Sequence, residues 1–159
     1  MCREIQFPGF FFARLLIRDL QIPTFMYTQS IGRKAVKSAK DYLEEANSAV
    51  TRISAQEGIE KHRQGNAVFI DVRDSSDIAK TGTIAGAKRI PRGFIEFAAD
   101  DAMPFHNEAL QKDADIYLVC GLGGQAALAG KTLKDMGYQS VTNVGGIGDW
   151  KEAGGDMED

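Results

Sequence analysis

Cysteine and histidine are nearly absent from this chain. Cys2, Cys120, His62 and His106 are all it has in 159 residues. Two cysteines far apart in sequence make no disulfide framework, which predicts a reduced, cytoplasmic setting. Without a Cys/His cluster no zinc site is expected, and the site should hold no metal. Long apolar runs are missing as well. The most apolar stretch, "FPGFFFARLLI" at 7–17, is too short to cross a bilayer and is broken by Pro8, Gly9 and Arg14. It also lacks the flanks and the small-residue cleavage site of a signal peptide, so no membrane span is expected. Excess positive charge is missing from the body of the chain. Seven of the 19 Lys/Arg and two of the 22 acids fall in residues 1–40, which leaves residues 41–159 at a net −8. A domain that acidic is a poor partner for nucleic acid.

What is present suits one globular domain. Hydrophobic residues make up 43% of the chain, enough for a sizeable core without disulfide or metal support. Residues 1–32 read as an ill-defined head. In "RKAVKSAKDYLEEANSAV" the apolar positions recur at helical spacing, predicting an amphipathic helix over 33–50 whose outer face offers a homodimer contact. Ser54 and Glu57 have capping-box spacing and open a second helix, which Gly65 and Asn66 stop. "AVFIDV" at 67–72 is a continuous apolar run, as in a strand buried on both faces. "DSSDIAKTG" reads as a short helix, "AKRIP" as a brief strand, "RGFIEFAAD" as a helix and "NEALQK" as a further helical turn or two. The strand "DIYLVC", the helix "QAALAGKTLKDMGY" and the strand "SVTNV" follow. Strands alternate with helices long enough for crossovers. That predicts an α/β fold, a parallel β-sheet with helices on both faces.

The chemistry concentrates in "CGLGGQAALAGK", where Cys120 ends a strand and glycines follow. Gly121, Gly123 and Ala126 fit a dinucleotide fingerprint. That fingerprint also needs an acid at the end of the next strand, where Asn143 and Val144 stand. A Walker loop needs Gly-Lys-Ser/Thr before the helix, and "GGQA" lacks it. A cysteine phosphatase needs an arginine fork for the phosphoryl oxygens, and position 125 is glutamine. Two readings remain. Cys120 is either an inert buried cysteine or a nucleophile whose thiolate is stabilised by loop N–H groups and the following helix dipole. The run "GLGG" favours the nucleophile, because a merely structural turn does not need three glycines.

Several segments together resemble the single-domain rhodaneses, the thiosulfate sulfurtransferase family. They are "DVRDSSD" at 71–77, "GTIAGAKRIPRG" at 82–93, the loop at 120–125 and "GGIGDW" at 145–150. The resemblance implies a rhodanese-like domain over 54–155 with a central five-stranded parallel sheet, preceded by the helical segment 33–53 and followed by an acidic tail, 156–159. It also implies a sulfurtransferase that needs no cofactor. Cys120 takes sulfane sulfur from thiosulfate or a persulfide donor and passes it to cyanide or a thiol. Gly121, Leu122, Gly123, Gly124 and Gln125 form the substrate loop, and Arg92 lies near its mouth. Four residues separate Cys120 from Gln125, the rhodanese loop length, whereas related phosphatases have five. Gln125 stands where the family has arginine, Leu122 replaces a small or hydroxylated residue, and Thr83 replaces histidine. Those departures leave a second reading open, a rhodanese-fold binding or regulatory module with weakened chemistry.

Overall fold

The three strands predicted at 67–72, 115–120 and 140–144 do form the inner strands of one sheet. A computed structural model describes residues 36–159; the head 1–32 and residues 33–35 lie outside the described residues. In chain order the first elements are α1 (Ala39–Ala49), β1 (Thr51–Arg52), α2 (Ala55–Gln64), β2 (Val68–Asp71) and α3 (Ser75–Thr81). After them come β3 (Thr83–Ile84), β4 (Lys88–Arg89), a 3₁₀ turn at Arg92–Phe94 and α4 (Ile95–Ala99). The rest is β5 (Asp115–Cys120), α5 (Gly124–Asp135), β6 (Ser140–Gly146), α6 (Ile147–Glu152) and β7 (Met157–Glu158).

Five strands form a parallel sheet in the order β1-β6-β5-β2-β4. Side chains alternate across it, as the pleat requires. Ile70, Val72, Ile116, Leu118 and Cys120 enter one core with Ile95, Ala126, Ala129 and Leu133 of α4 and α5. Phe69, Val119 and Val144 enter the other with Ile59, Ile147 and Trp150 of α2 and α6. Both faces are covered, which is why the inner strands are largely apolar, with Asp71 and Asn143 as buried exceptions. Trp150 is fully buried beside Phe69 and His62, so it is a packing residue.

The capping box at Ser54 and Glu57 forms as expected: Glu57 N–H donates to Ser54 Oγ at 3.2 Å, and Ser54 N–H to the Glu57 carboxylate at 2.9 Å. Hydrogen bonds from the Ser54 side chain and backbone hold the Glu57 carboxyl below its usual range. Three local readings differ from the structure. The first helix begins at Ala39 rather than 33, because Ser38 and Asp41 form a capping box of their own. The second is "NEALQK", which forms turns rather than a helix. There the Asn107 side chain accepts the Ala109 N–H and Gln111 donates to Glu108 O, so side chains compete for the backbone. The third is β1, a two-residue strand at the sheet edge that exists through pairing with β6. Residues 157–158 pair antiparallel with β3, and Glu158 accepts the Gly86 N–H at 2.9 Å.

Candidate active site

Cys120 sits where β5 leaves the C-terminal end of the sheet, the usual place for a site in an open α/β fold. β5 is pinned between β2 and β6, so the sulfur is carried on a rigid element. Between Leu118 and Cys120 the β5–β6 register shifts, and Cys120 lies opposite Gly146. The backbones meet closely there: a Cβ on Gly146 would stand 2.7 Å from Gly121 O. Gly123 has φ 96°, a left-handed conformation that glycine adopts without strain. That bend turns the Gly123 N–H back onto Cys120 Sγ, 3.0 Å away. α5 starts at the next residue with no side chain capping it. The sulfur accepts the N–H of Gly123, the residue before a twelve-residue helix, and so lies at the helix end where an anion is favoured by the dipole.

Cys120 is 2% exposed, yet it borders an open cup of ≈ 310 Å³ lined also by Gly121, Leu122, Gly124 and Gln125. None of these lining residues is charged. Leu122 projects from the rim at 88% exposure, and Gln125 is exposed on the first turn of α5. Gly123 closes the cup from behind through its N–H. Arg92 does not line the cup. Its Nη1 meets the Glu96 carboxylate at 3.0 Å and its Nη2 donates to Thr132 Oγ1 at 3.0 Å.

Two residues that the sequence reading did not select support the loop. Asn143, 1% exposed, donates from Nδ2 to Gly123 O and accepts the Gly145 N–H at Oδ1, both at 2.9 Å. It ties the sulfur's hydrogen-bond donor to the neighbouring strand. Its signal was a lone amide in an apolar strand, a polar group that must be satisfied if buried. Arg52, the partner of Asn143 in the β1–β6 register, packs its guanidinium against Gly123 and Gly145. Farther off, Asp71 and Arg73 form a buried pair, Nη2 to Oδ2 at 2.6 Å, completed by the Thr83 hydroxyl donating to Asp71 at 2.7 Å. They brace β2 and the chain entering β3, and Thr83 serves that scaffold. Among the described residues no group of His, Cys, Asp or Glu could hold a metal ion, and no helix is long and apolar enough to cross a membrane.

Cys120 thus stands at a strand end, under a glycine turn and a helix start, in a five-stranded parallel sheet. The family model for the rhodanese-like domain matches residues 54–153, and the chain belongs to that family. A solved structure from Rhodopseudomonas palustris, a protein of unknown function described as a "Possible Tyrosine Phosphatase", is 35% identical with a TM-score of 0.73. The match covers 77% of this chain and 96% of that one. The polysulfide-sulfur transferase homodimer of Wolinella succinogenes is 25% identical with a TM-score of 0.62, over 76% of this chain and 86% of that one. The "Putative sulfur carrier protein YrkF" of Bacillus subtilis is 27% identical over 120 residues, which are 74% of this chain. This chain spans 60% of that relative's length.

Proposed function

We propose that this chain moves sulfane sulfur through a persulfide on Cys120, with Gly121, Leu122, Gly123, Gly124 and Gln125 framing the donor. The observation that carries the reading is Cys120 Sγ itself, 3.0 Å from the Gly123 N–H, at the head of α5 and open to a cup. A sulfur anion there gains from the N–H and the helix dipole, whether it is the thiolate or the longer persulfide. In the first half-reaction the Cys120 thiolate attacks the outer sulfur of thiosulfate or of a persulfide. A new S–S bond forms, the old one breaks, and sulfite or the donor thiolate leaves with the bonding pair. In the second, cyanide or an acceptor thiolate attacks the terminal sulfur and Cys120 leaves as the thiolate. Charge and electrons balance within each step, so no cofactor is consumed. Because Glu96 and Thr132 engage its guanidinium, Arg92 is not assigned to the donor.

The kinship with a sulfur carrier and a polysulfide-sulfur transferase supports a persulfide or polysulfide donor alongside thiosulfate. A phosphatase reading has less support, since the cup offers no arginine to grip a phosphoryl dianion. The competing reading is a binding module whose chemistry has lapsed, and the uncharged Gln125 favours it.

Gln125→Arg separates these readings. Hydrogen bonds to a charged group contribute about 1.5–3 kcal/mol against roughly 1 for neutral ones. A difference near 1.4 kcal/mol is about tenfold in kcat/KM. Thiosulfate:cyanide transfer should rise by about that factor, with the gain shrinking as salt increases. Thiosulfate turnover unchanged beside rapid turnover of less charged persulfide donors would make Gln125 a specificity device. Both donors inactive in the arginine variant would establish the binding module.

A further inference from the structure

The loop at Cys120 has no cation of its own. Gln125 is neutral, and Arg92 is paired with Glu96. A positive charge nonetheless stands behind the loop. Arg52 ends the edge strand β1, directly opposite Asn143 of β6. Its guanidinium fills the space in front of two left-handed glycines. A Cβ on Gly123 would lie 3.0 Å from Arg52 Nη1, and a Cβ on Gly145 would lie 3.1 Å from Nη2. Any side chain at either position would displace the arginine. Gly123 in turn donates its N–H to Cys120 Sγ at 3.0 Å. Adding the glycine's own bond lengths bounds the separation of Nη1 from Sγ at about 9 Å. Among the described residues Arg52 meets no carboxylate within ion-pair distance, whereas Arg73, Arg89 and Arg92 each do. One carboxylate also lies near the loop: Asp149 Oδ2 is 3.4 Å from where a Cβ on Gly146 would stand, and Gly121 O is 2.7 Å from the same point.

We propose that Arg52 is a specificity-determining residue, the out-of-loop cation that biases Cys120 toward anionic partners. The two glycines leave room for its charge beside the loop, and Asp149 opposes it. Arg52 does not touch the sulfur. It acts through the field it places across Gly123, so it selects by charge rather than by shape. The choice of sulfur donor rests on the sulfurtransferase reading, but the charge preference of Cys120 does not and is measurable without any sulfur transfer.

A unit charge at about 9 Å, in a medium of effective dielectric between 20 and 80, changes a local equilibrium by about two- to twentyfold. Arg52 is exposed, and the separation is close to the Debye length at physiological salt. The effect therefore falls at the lower end, about two- to fivefold at low ionic strength.

The test compares alkylation of Cys120 by iodoacetate, an anion, with alkylation by iodoacetamide, which is neutral, in full-length protein carrying Cys2→Ser. Arg52→Met should lower the iodoacetate:iodoacetamide rate ratio by about two- to fivefold at low salt, and the difference should fade as NaCl is added. Arg52→Lys should restore most of the ratio. Asp149→Asn should raise it, a variant that keeps the proposal testable if Arg52→Met does not fold. A purely structural arginine would slow both reagents together and leave the ratio fixed. An unchanged ratio in cooperatively folded Arg52→Met, or in Asp149→Asn, overturns the proposal. Loss of sulfur uptake beside a shifted ratio removes the sulfurtransferase reading and leaves Arg52 in its role. Sulfur uptake with an unchanged ratio does the reverse.

Discussion

Cys120→Ser should lower thiosulfate:cyanide transfer to the rate seen without protein, while Cys2→Ser should leave it intact. The serine hydroxyl is smaller, fits the same place at the end of β5 and can still accept the Gly123 N–H. The loop and the fold should therefore survive, and thermal unfolding should remain cooperative. What the proposed reaction would lose is the sulfur that attacks the donor and departs again as a stable anion. Thiocyanate release, followed with wild type and both variants at equal concentration, reads the effect. Turnover persisting in Cys120→Ser would move the chemistry elsewhere in the chain.

Asp71→Ala should cost about 3–5 kcal/mol of stability, the range for breaking a buried ion pair by removing one partner. Asp71 is 0% exposed and Arg73 5%. Arg73 gives Asp71 hydrogen bonds from Nε, Nη2 and its backbone N–H, and Thr83 gives one more. Without the carboxylate, Arg73 keeps Thr81 and Gly82 O as partners but carries an uncompensated charge in the interior. Urea unfolding monitored by Trp150 fluorescence would report the loss as a lower midpoint at unchanged slope. A change below about 1 kcal/mol would mean that water reaches the guanidinium and screens it.

The inner strands β2 and β5 were legible because a strand buried on both faces is mostly apolar, as "VFI" and "IYLVC" are, and β6 because the β-branched residues of "SVTNV" follow a helix that ends at a glycine. The capping box at Ser54 was legible because Ser and Glu three residues apart satisfy each other's backbone locally. The residues around Cys120 were legible for a similar reason: a strand, a tight turn and a helix start are adjacent in sequence. The edges were not. Thr51 and Arg52 have no strand pattern of their own and become β1 only against Thr142 and Asn143. Met157 and Glu158 likewise pair only with β3. Arg52 and Asn143 reach the Cys120 loop through a strand register that no local window contains. Arg92, expected near the loop mouth, pairs with Glu96 one helical turn along.

The central claim is that Cys120 carries sulfur as a covalent intermediate, and intact-mass spectrometry of the wild-type chain after incubation with thiosulfate or a small persulfide tests it most directly. The account predicts a gain of one sulfur atom, removed by cyanide or dithiothreitol, mapping to the peptide that contains Cys120 and absent from Cys120→Ser. No mass gain with any donor, or a gain that maps to Cys2, would contradict it.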